Sequence, residues 1–461
     1  MNIAIIGGGY AGMAAAVELA ARGIPVTVFE SAKQLGGRAR GVVTQHPVLQ
    51  KKKLSVPSIQ LSPIGEKGNR PLSGESLILD NGQHLLLGCY RETLRLIELV
   101  GGNLAQDFLR LPLQLDLHGQ FSLKAPRLPA PLHLLIALLN AQGLTWRERF
   151  KAAHFMLTLR RMNFHLPHDI TVSSLLAQHG QDANLSLKLW EPLCIAALNT
   201  PIHKASAQVL LNVLRDALNQ SRADSDMLLP RLDFTALFPQ RAAAFIEQRG
   251  GKVLLSAGVE KIELRDDGVA ITTAHDTQIF SHAICATPPT IAAKLLGNLA
   301  ELSNCIAQIN ALEQQPIYTV YVQYPEHVSL PCAMLGLHQR TSQWLFDKGQ
   351  IANQHGLIAS LISAEGVHQN LSQDELAQKI IEELRQEFGI TDIPLWWKVI
   401  AEKRATFCCS PNLQRPSQAT AAARLFLAGD YTAGDYPATL EGAVMSGIRC
   451  AELVFEVADK R

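Results

Sequence analysis

The chain has 461 residues, 47% hydrophobic and 18% charged, with 42 Lys and Arg against 41 Asp and Glu. That length supports two or three domains around a sizeable core, and a net charge of +1 gives no electrostatic case for nucleic-acid binding. The eight cysteines form no C-x-x-C pair and the Cys408-Cys409 doublet is unsuited to chelation, so reduced, cytosolic usage and no metal are expected.

The opening residues lack a basic n-region, which is not the pattern of a signal peptide. No run reaches the roughly 18 apolar residues of a membrane span, the longest being "LHLLIALL" at 132–139. In "MNIAIIGGGYAGMAAAVELAARGIPVTVFES" a buried strand over 3–6 meets Gly7-x-Gly9-x-x-Gly12, which opens an alanine-rich helix over 13–21 that Gly23 stops. A second strand over 25–29 ends at Glu30. Gly7 makes the tight turn, Gly9 lets backbone approach a pyrophosphate, and Gly12 lets helix and strand pack closely. The candidate phosphate set is therefore Gly7, Gly9, Tyr10, Ala11 and Gly12 at a helix N-terminus, and Glu30 with Ser31 forms the ribose set. An acid at this place argues against a 2′-phosphorylated ribose. "QLGGRAR" at 34–40 adds a second close approach, Gly36-Gly37, and a fixed cation, Arg38, for the pyrophosphate.

Residues 44–76 carry Lys51, Lys52, Lys53 and several prolines without a period, as in an exposed, mobile insertion between two strands. Contact of the lysine run with anionic lipid is the alternative. Next, "LDNGQHLLLGCYRETLRLIELVG" at 79–101 sets an amide and an imidazole, Gln83 and His84, beside an apolar run. Residues 104–232 read as mostly helical. Within them, 129–161 combine an apolar run, Trp146, Arg147, Arg149, Lys151, Arg160 and Arg161. That pattern suits an interfacial helix pair or a lid over an internal tunnel. Asn199-Thr200 ends an apolar helix before Pro201 and reads either as a polar site or as a helix terminus.

Residues 250–289 alternate like a β-meander ending in a parallel strand. Residues 305–400 supply the strands "PIYTVYVQY", "AMLGL" and "GLIASLIS" and one helix, "SQDELAQKIIEELRQEFG", with a Ser372/Glu375 capping box and Gly389 as its stop. Near the end, "RLFLAGDYTAGDYPATLEGAVMSGIRCAELV" at 424–454 reads as strand, Gly429-Asp430, loop, and a helix from about Glu441.

The glycine motif with Glu30, Gly36-Gly37-Arg38 and Gly429-Asp430 together resemble the two-part FAD site of the flavin amine oxidase and phytoene desaturase superfamily. The resemblance implies an α/β protein with a discontinuous Rossmann-like FAD-binding domain over 1–100, 235–290 and 400–461. A mixed helical and β-sheet substrate domain would then span 101–234 and 291–399. It further implies that Asp430 binds a ribityl hydroxyl and that Val259 contacts adenine through its backbone. The helix start with Thr439, Leu440 and Ala443 would face the flavin pyrimidine. Gly82 would bring backbone to the isoalloxazine edge near N5, with Gln83 and His84 standing where the superfamily has Pro-Thr and 85–87 lining an apolar chamber.

Three stretches, 79–96, 189–218 and 401–411, narrow the resemblance to the FAD-dependent hydroxysqualene dehydroxylases. This implies reductive removal of the allylic hydroxyl of hydroxysqualene to give squalene. The substrate would be a hydrophobic C30 isoprenoid, and the electron donor is unidentified. The enzyme would be cytoplasmic and peripheral on the inner face of a bacterial membrane. His84 is the first candidate for the acid or for the hydroxyl-orienting group, with Gln83 and Asn199 as further polar candidates. The rivals are a phytoene-type desaturase or isomerase, a flavin amine oxidase, and a non-enzymatic prenyl-lipid carrier of the same fold.

Overall fold

Residues Ile3–Ile6 are buried at all four positions, and an apolar run without alternation belongs inside a parallel sheet covered on both faces. In the computed structural model, which describes residues 1–45, 76–218 and 220–458, this strand is the centre of a five-stranded parallel sheet. The order is Lys252–Leu254, Val26–Phe29, Ile3–Ile6, His282–Cys285, Leu425–Leu427. Its strands come from three distant stretches of chain, as the discontinuous reading expects. The helix Tyr10–Ala21 begins three residues before the expected start, so Gly12 lies within its first turn. It is apolar on nearly every side because it is covered on nearly every side. The last helix, Leu440–Ala458, crosses it at Gly447, where a Cβ would lie 2.1 Å from Ala11 O.

The meander is present as Val259–Arg265, Gly268–Thr273 and Thr277–Phe280, and feeds the parallel strand at 282. A seven-stranded sheet forms the second layer, in the order Trp396–Phe407, Gln314–Gln323, Leu357–Ser363, Trp344–Asp347, Met334–Gly336, Gln114–Leu117, Phe121–Lys124. The helix Gln373–Phe388 packs on it with the expected Ser372/Glu375 box and a left-handed Gly389.

One expectation is refined here and one changes. The segment read as mostly helical is so, but it also contains four strands, Phe108–Leu111, Gln114–Leu117, Phe121–Lys124 and Met227–Pro230. "QLDLHGQFSLK" alternates about a Gly119 turn, which is a hairpin signal. The strand Trp396–Phe407 also runs across the expected boundary at 399/400 and pairs with Gln314–Gln323 to its end, so it belongs to the second sheet. The strands Gly41–Gln45 and Ser76–Asp80 pair antiparallel. They bracket the Lys- and Pro-bearing insertion, whose residues 46–75 lie outside the described residues.

Candidate active site

The N-cap of the first helix is Gly9, with extended backbone and no side-chain cap, so the N–H groups of the first turn have no intrahelical acceptor. Gly36 N donates to Gly8 O at 2.9 Å, and Gly9 and Gly36 form a bridge. The two glycine segments therefore lie face to face. A Cβ on Gly37 would come 3.3 Å from Gly9 Cα, closing the gap between them. Gly7 sits at φ +113°, and a Cβ on Gly12 would lie 2.0 Å from Gly7 O. Tyr10 turns its side chain into the core and donates to Phe234 O at 3.0 Å, so only its backbone serves the helix N-terminus. Ala11 is likewise buried.

Glu30 is buried and accepts from Gly8 N and Ala32 N, both at 2.7 Å, and from Ser31 Oγ at 3.3 Å. The segment leading to Val259 lies against it. Glu30 N donates to Leu254 O, and Ala257 N donates to Glu30 O, both at 2.8 Å. Arg38 and Asp430, expected to hold different parts of a cofactor, meet each other. Nη2 donates to Asp430 Oδ1 at 2.5 Å and Nη1 to Ala405 O at 2.6 Å. The buried Asp430 has thereby a counter-ion, and two of the five guanidinium N–H groups are in use. Gly429 N donates to Ser446 Oγ at 2.8 Å, joining the Asp430 turn to the last helix. At that helix's start Thr439 Oγ1 accepts from Gly442 N, and Ala443 N donates to Thr439 O. Glu441, in the first turn, reaches across to accept from the backbone N–H groups of Glu92 and Thr93. One buried carboxylate thus favours two helix N-termini at once, its own and that of Arg91–Leu99.

The turn at 80–84 departs most from expectation. His84 Nδ1 is 2.7 Å from Gly82 O, and a carbonyl only accepts, so Nδ1 carries the hydrogen. The ring curls back over its own turn: a Cβ on Gly82 would lie 3.2 Å from His84 Cε1. The missing side chain at Gly82 thus makes room for the imidazole. Burial pushes His84 down to about 4, with Gly82 O opposing and the Arg38 cation adding to it. Near neutral pH the ring is an uncharged acceptor at Nε2. Of the two roles expected for His84, this geometry favours orienting a hydroxyl over supplying the acid.

Gln83 is buried, with Nε2 3.4 Å from His84 O and Oε1 accepting from Lys348 Nζ at 3.3 Å. Beneath them Asp80 accepts from Phe234 N at 2.9 Å, and its carbonyl accepts from Tyr321 OH at 2.9 Å. Burial raises the Asp80 carboxyl to about 6 and lowers the Lys348 ammonium, each charge partly restoring the other. Residues 85–87 do not all face one chamber. Strand alternation puts Leu86 into the core behind the parallel sheet and Leu85 and Leu87 against the larger apolar cluster. Asn199 is not gathered into this group. In left-handed conformation after the helix Glu191–Leu198, it donates to Pro316 O and Thr406 Oγ1 and accepts from Ala364 N at 2.6 Å. Its amide ties a helix end to two strands.

The orphaned helix N-terminus and the glycine-floored gap fit a dinucleotide pyrophosphate, and the acid and arginine beside them fit its ribose and charge. Among the described residues no cluster of His, Cys, Asp and Glu could hold a metal ion. Residues 10–455 match the family described as flavin containing amine oxidoreductase. The chain is 26% identical over 473 residues to a hydroxysqualene dehydroxylase of Sinorhizobium fredii, covering 98% of both chains. It is also 26% identical over 479 residues to a hydroxysqualene dehydroxylase of Rhodopseudomonas palustris, again covering 98% of each. The crystal structure of an oxidoreductase from Methanosarcina mazei superimposes with a TM-score of 0.71 at 15% identity, over 98% of this chain and 100% of that one, which extends the likeness in fold. With a family match running nearly end to end, the chain belongs to the flavin-containing amine oxidoreductases and is a flavin-dependent oxidoreductase whose cofactor is FAD.

Proposed function

We propose that this enzyme reductively removes the allylic hydroxyl of hydroxysqualene, a C30 isoprenoid alcohol, to give squalene. The observation that carries the reading is the end-to-end match to relatives bearing that name, 26% identical across 98% of each chain. The overall change adds a hydride at carbon and a proton at oxygen, so the products are the hydrocarbon and water. Reduced FAD supplies the hydride when bound.

In this reading Gly7, Gly9, Gly12, Gly36, Gly37 and the backbone of Tyr10 and Ala11 hold the pyrophosphate. Glu30 and Ser31 take the adenosine ribose, Val259 the adenine, and Arg38, Gly429 and Asp430 the central part. Thr439, Leu440 and Ala443 present the last helix's positive end. Gly82, Gln83 and His84 stand at the reacting edge. His84 accepts the hydrogen of the substrate hydroxyl, which orients its oxygen. Apolar side chains around the turn keep water away from an electron-poor allylic carbon.

A C30 chain partitions into bilayers, and the helix pair Leu132–Leu139 and Trp146–Arg161 supports membrane contact. Trp146 and Phe150 are 62% and 61% exposed, and Leu157 continues the same face at helical spacing. Exposed Arg147, Arg160 and Arg161 lie nearby in sequence. No described helix is long and apolar enough to cross a membrane.

The test is anaerobic: reduce the flavin, add hydroxysqualene, and follow flavin absorbance and product together. Reoxidation with stoichiometric squalene is expected. Flavin that stays reduced with the alcohol, yet is reduced from its oxidised form by a carotene or an amine, overturns the proposal in favour of a desaturase or an amine oxidase.

A further inference from the structure

Lys348 is a costly residue where it stands. It opens the short helix Lys348–Ala352 behind its Asp347 cap, and its side chain is only 6% exposed. A buried ammonium needs acceptors. Among the described residues its hydrogen bond runs to Gln83 Oε1, while Asp80 and Asp233 act on it through space.

That bond decides which way Gln83 faces. An ammonium only donates, so the carboxamide oxygen is the atom toward Lys348 and the NH2 group lies on the other edge. One of its hydrogens is directed, weakly, to His84 O at 3.4 Å, and the second has no acceptor among the described residues. The next residue is an imidazole whose Nδ1 hydrogen is committed to Gly82 O and whose Nε2 therefore accepts. A donor and an acceptor thus sit on adjacent residues. An alcohol needs that combination, since its oxygen takes one hydrogen bond while its hydrogen gives another. A hydrocarbon uses neither.

We propose that Lys348 is a positioning residue for hydroxyl recognition: by holding Gln83 Oε1 it leaves the amide N–H to donate to the substrate's allylic oxygen while His84 Nε2 accepts the hydroxyl hydrogen. This rests on the dehydroxylase reading and deepens it. Loss of the ammonium frees the carboxamide to rotate and weakens its donor, without touching the apolar contacts of the isoprenoid chain.

The experiment titrates hydroxysqualene and squalene, each in detergent micelles, into oxidised FAD-loaded enzyme and follows the flavin spectrum, so no turnover intervenes. Wild type is expected to bind the alcohol more tightly than the hydrocarbon. Lys348→Met lowers affinity for hydroxysqualene by about tenfold, the scale of one hydrogen bond, and leaves squalene within about twofold. Gln83→Glu, which retains a partner for Lys348 but removes the N–H donor, loses the same preference and decides the question if Lys348→Met does not fold. An alcohol preference that survives in Lys348→Met, or in Gln83→Glu, overturns the proposal. A wild type that shows no alcohol preference and no reoxidation by hydroxysqualene overturns the dehydroxylase reading itself.

Discussion

The glycine cradle at 7–12 and 36–37 and the turn at 80–84 adjoin in space, since Asn81 N donates to Arg40 O at 2.9 Å, yet they are built on opposite plans. The cradle is backbone: its shape comes from side chains that are missing, and its charges, Glu30 and Arg38, are satisfied by local N–H groups or by Asp430. The turn is side chain: an imidazole, a carboxamide, a carboxylate and an ammonium held in a desolvated place that moves their protonation. A site of the first kind fails when a side chain is added to its backbone or a charge at its edge is taken away, and it then loses its cofactor. The second kind fails when something is removed or the pH changes, and its host can stay folded and loaded with cofactor.

The sharpest break is Gly12→Ala. A Cβ 2.0 Å from Gly7 O must displace backbone on both sides of the cradle. A destabilisation of about 3 kcal/mol and near-complete loss of flavin are expected, read as Tm and as the ratio of flavin to protein absorbance. Flavin content like wild type would show that the helix and strand need not approach so closely.

Arg38→Ala comes next. It removes a charge-assisted bond worth about 1.5–3 kcal/mol and leaves Asp430 without its cation, so FAD affinity falls by roughly tenfold to a hundredfold in equilibrium titration of apoprotein. Unchanged affinity would mean that Arg38 only ties the Asp430 turn to the strand Trp396–Phe407.

The turn should respond the other way. His84→Ala is expected to keep full flavin occupancy and to slow single-turnover reoxidation by hydroxysqualene about tenfold, with His84→Phe no better because a phenyl ring accepts no hydroxyl hydrogen. If the variant lost flavin instead, the contrast between the two regions would collapse.

The smallest effect is in pH. His84 lies near 4 in the folded chain against an ordinary 6.5, so between those values the unfolded chain binds the extra proton and acidification lowers stability. Asp80, raised from 3.8 to about 6, acts oppositely: there the folded chain binds the proton, and acidification raises stability. The two offset each other over much of the same window. His84→Phe removes one arm, so its Tm should gain on wild type as pH falls from about 7 to about 5. A Tm difference independent of pH would show that His84 is not held neutral by burial.

Much of this enzyme was legible wherever the physics is local. Gly7-x-Gly9-x-x-Gly12, the Glu30 that ends the second strand and the Ser372/Glu375 box act within a few residues of themselves, so spacing alone exposes them. The expected boundary at 399/400 cuts the strand 396–407, because membership of a sheet is decided by a partner at 314–323, not by the strand's own residues. Leu86 is expected in a chamber that alternation turns it away from, and the hairpin at 114–124 goes unmarked in a segment whose composition reads as mostly helical.

The sequence by itself determined the glycine turns, the family and the elements with their own caps and periods. Tertiary structure decided the chemistry of the turn. Lys348 reaches Gln83 across 265 positions and Arg38 reaches Asp430 across 392, and no local pattern marks either pairing. Protonation follows from the same cause: the charge a histidine or a carboxyl carries depends on how much water the folded chain leaves around it, and that is a property of packing rather than of order along the chain.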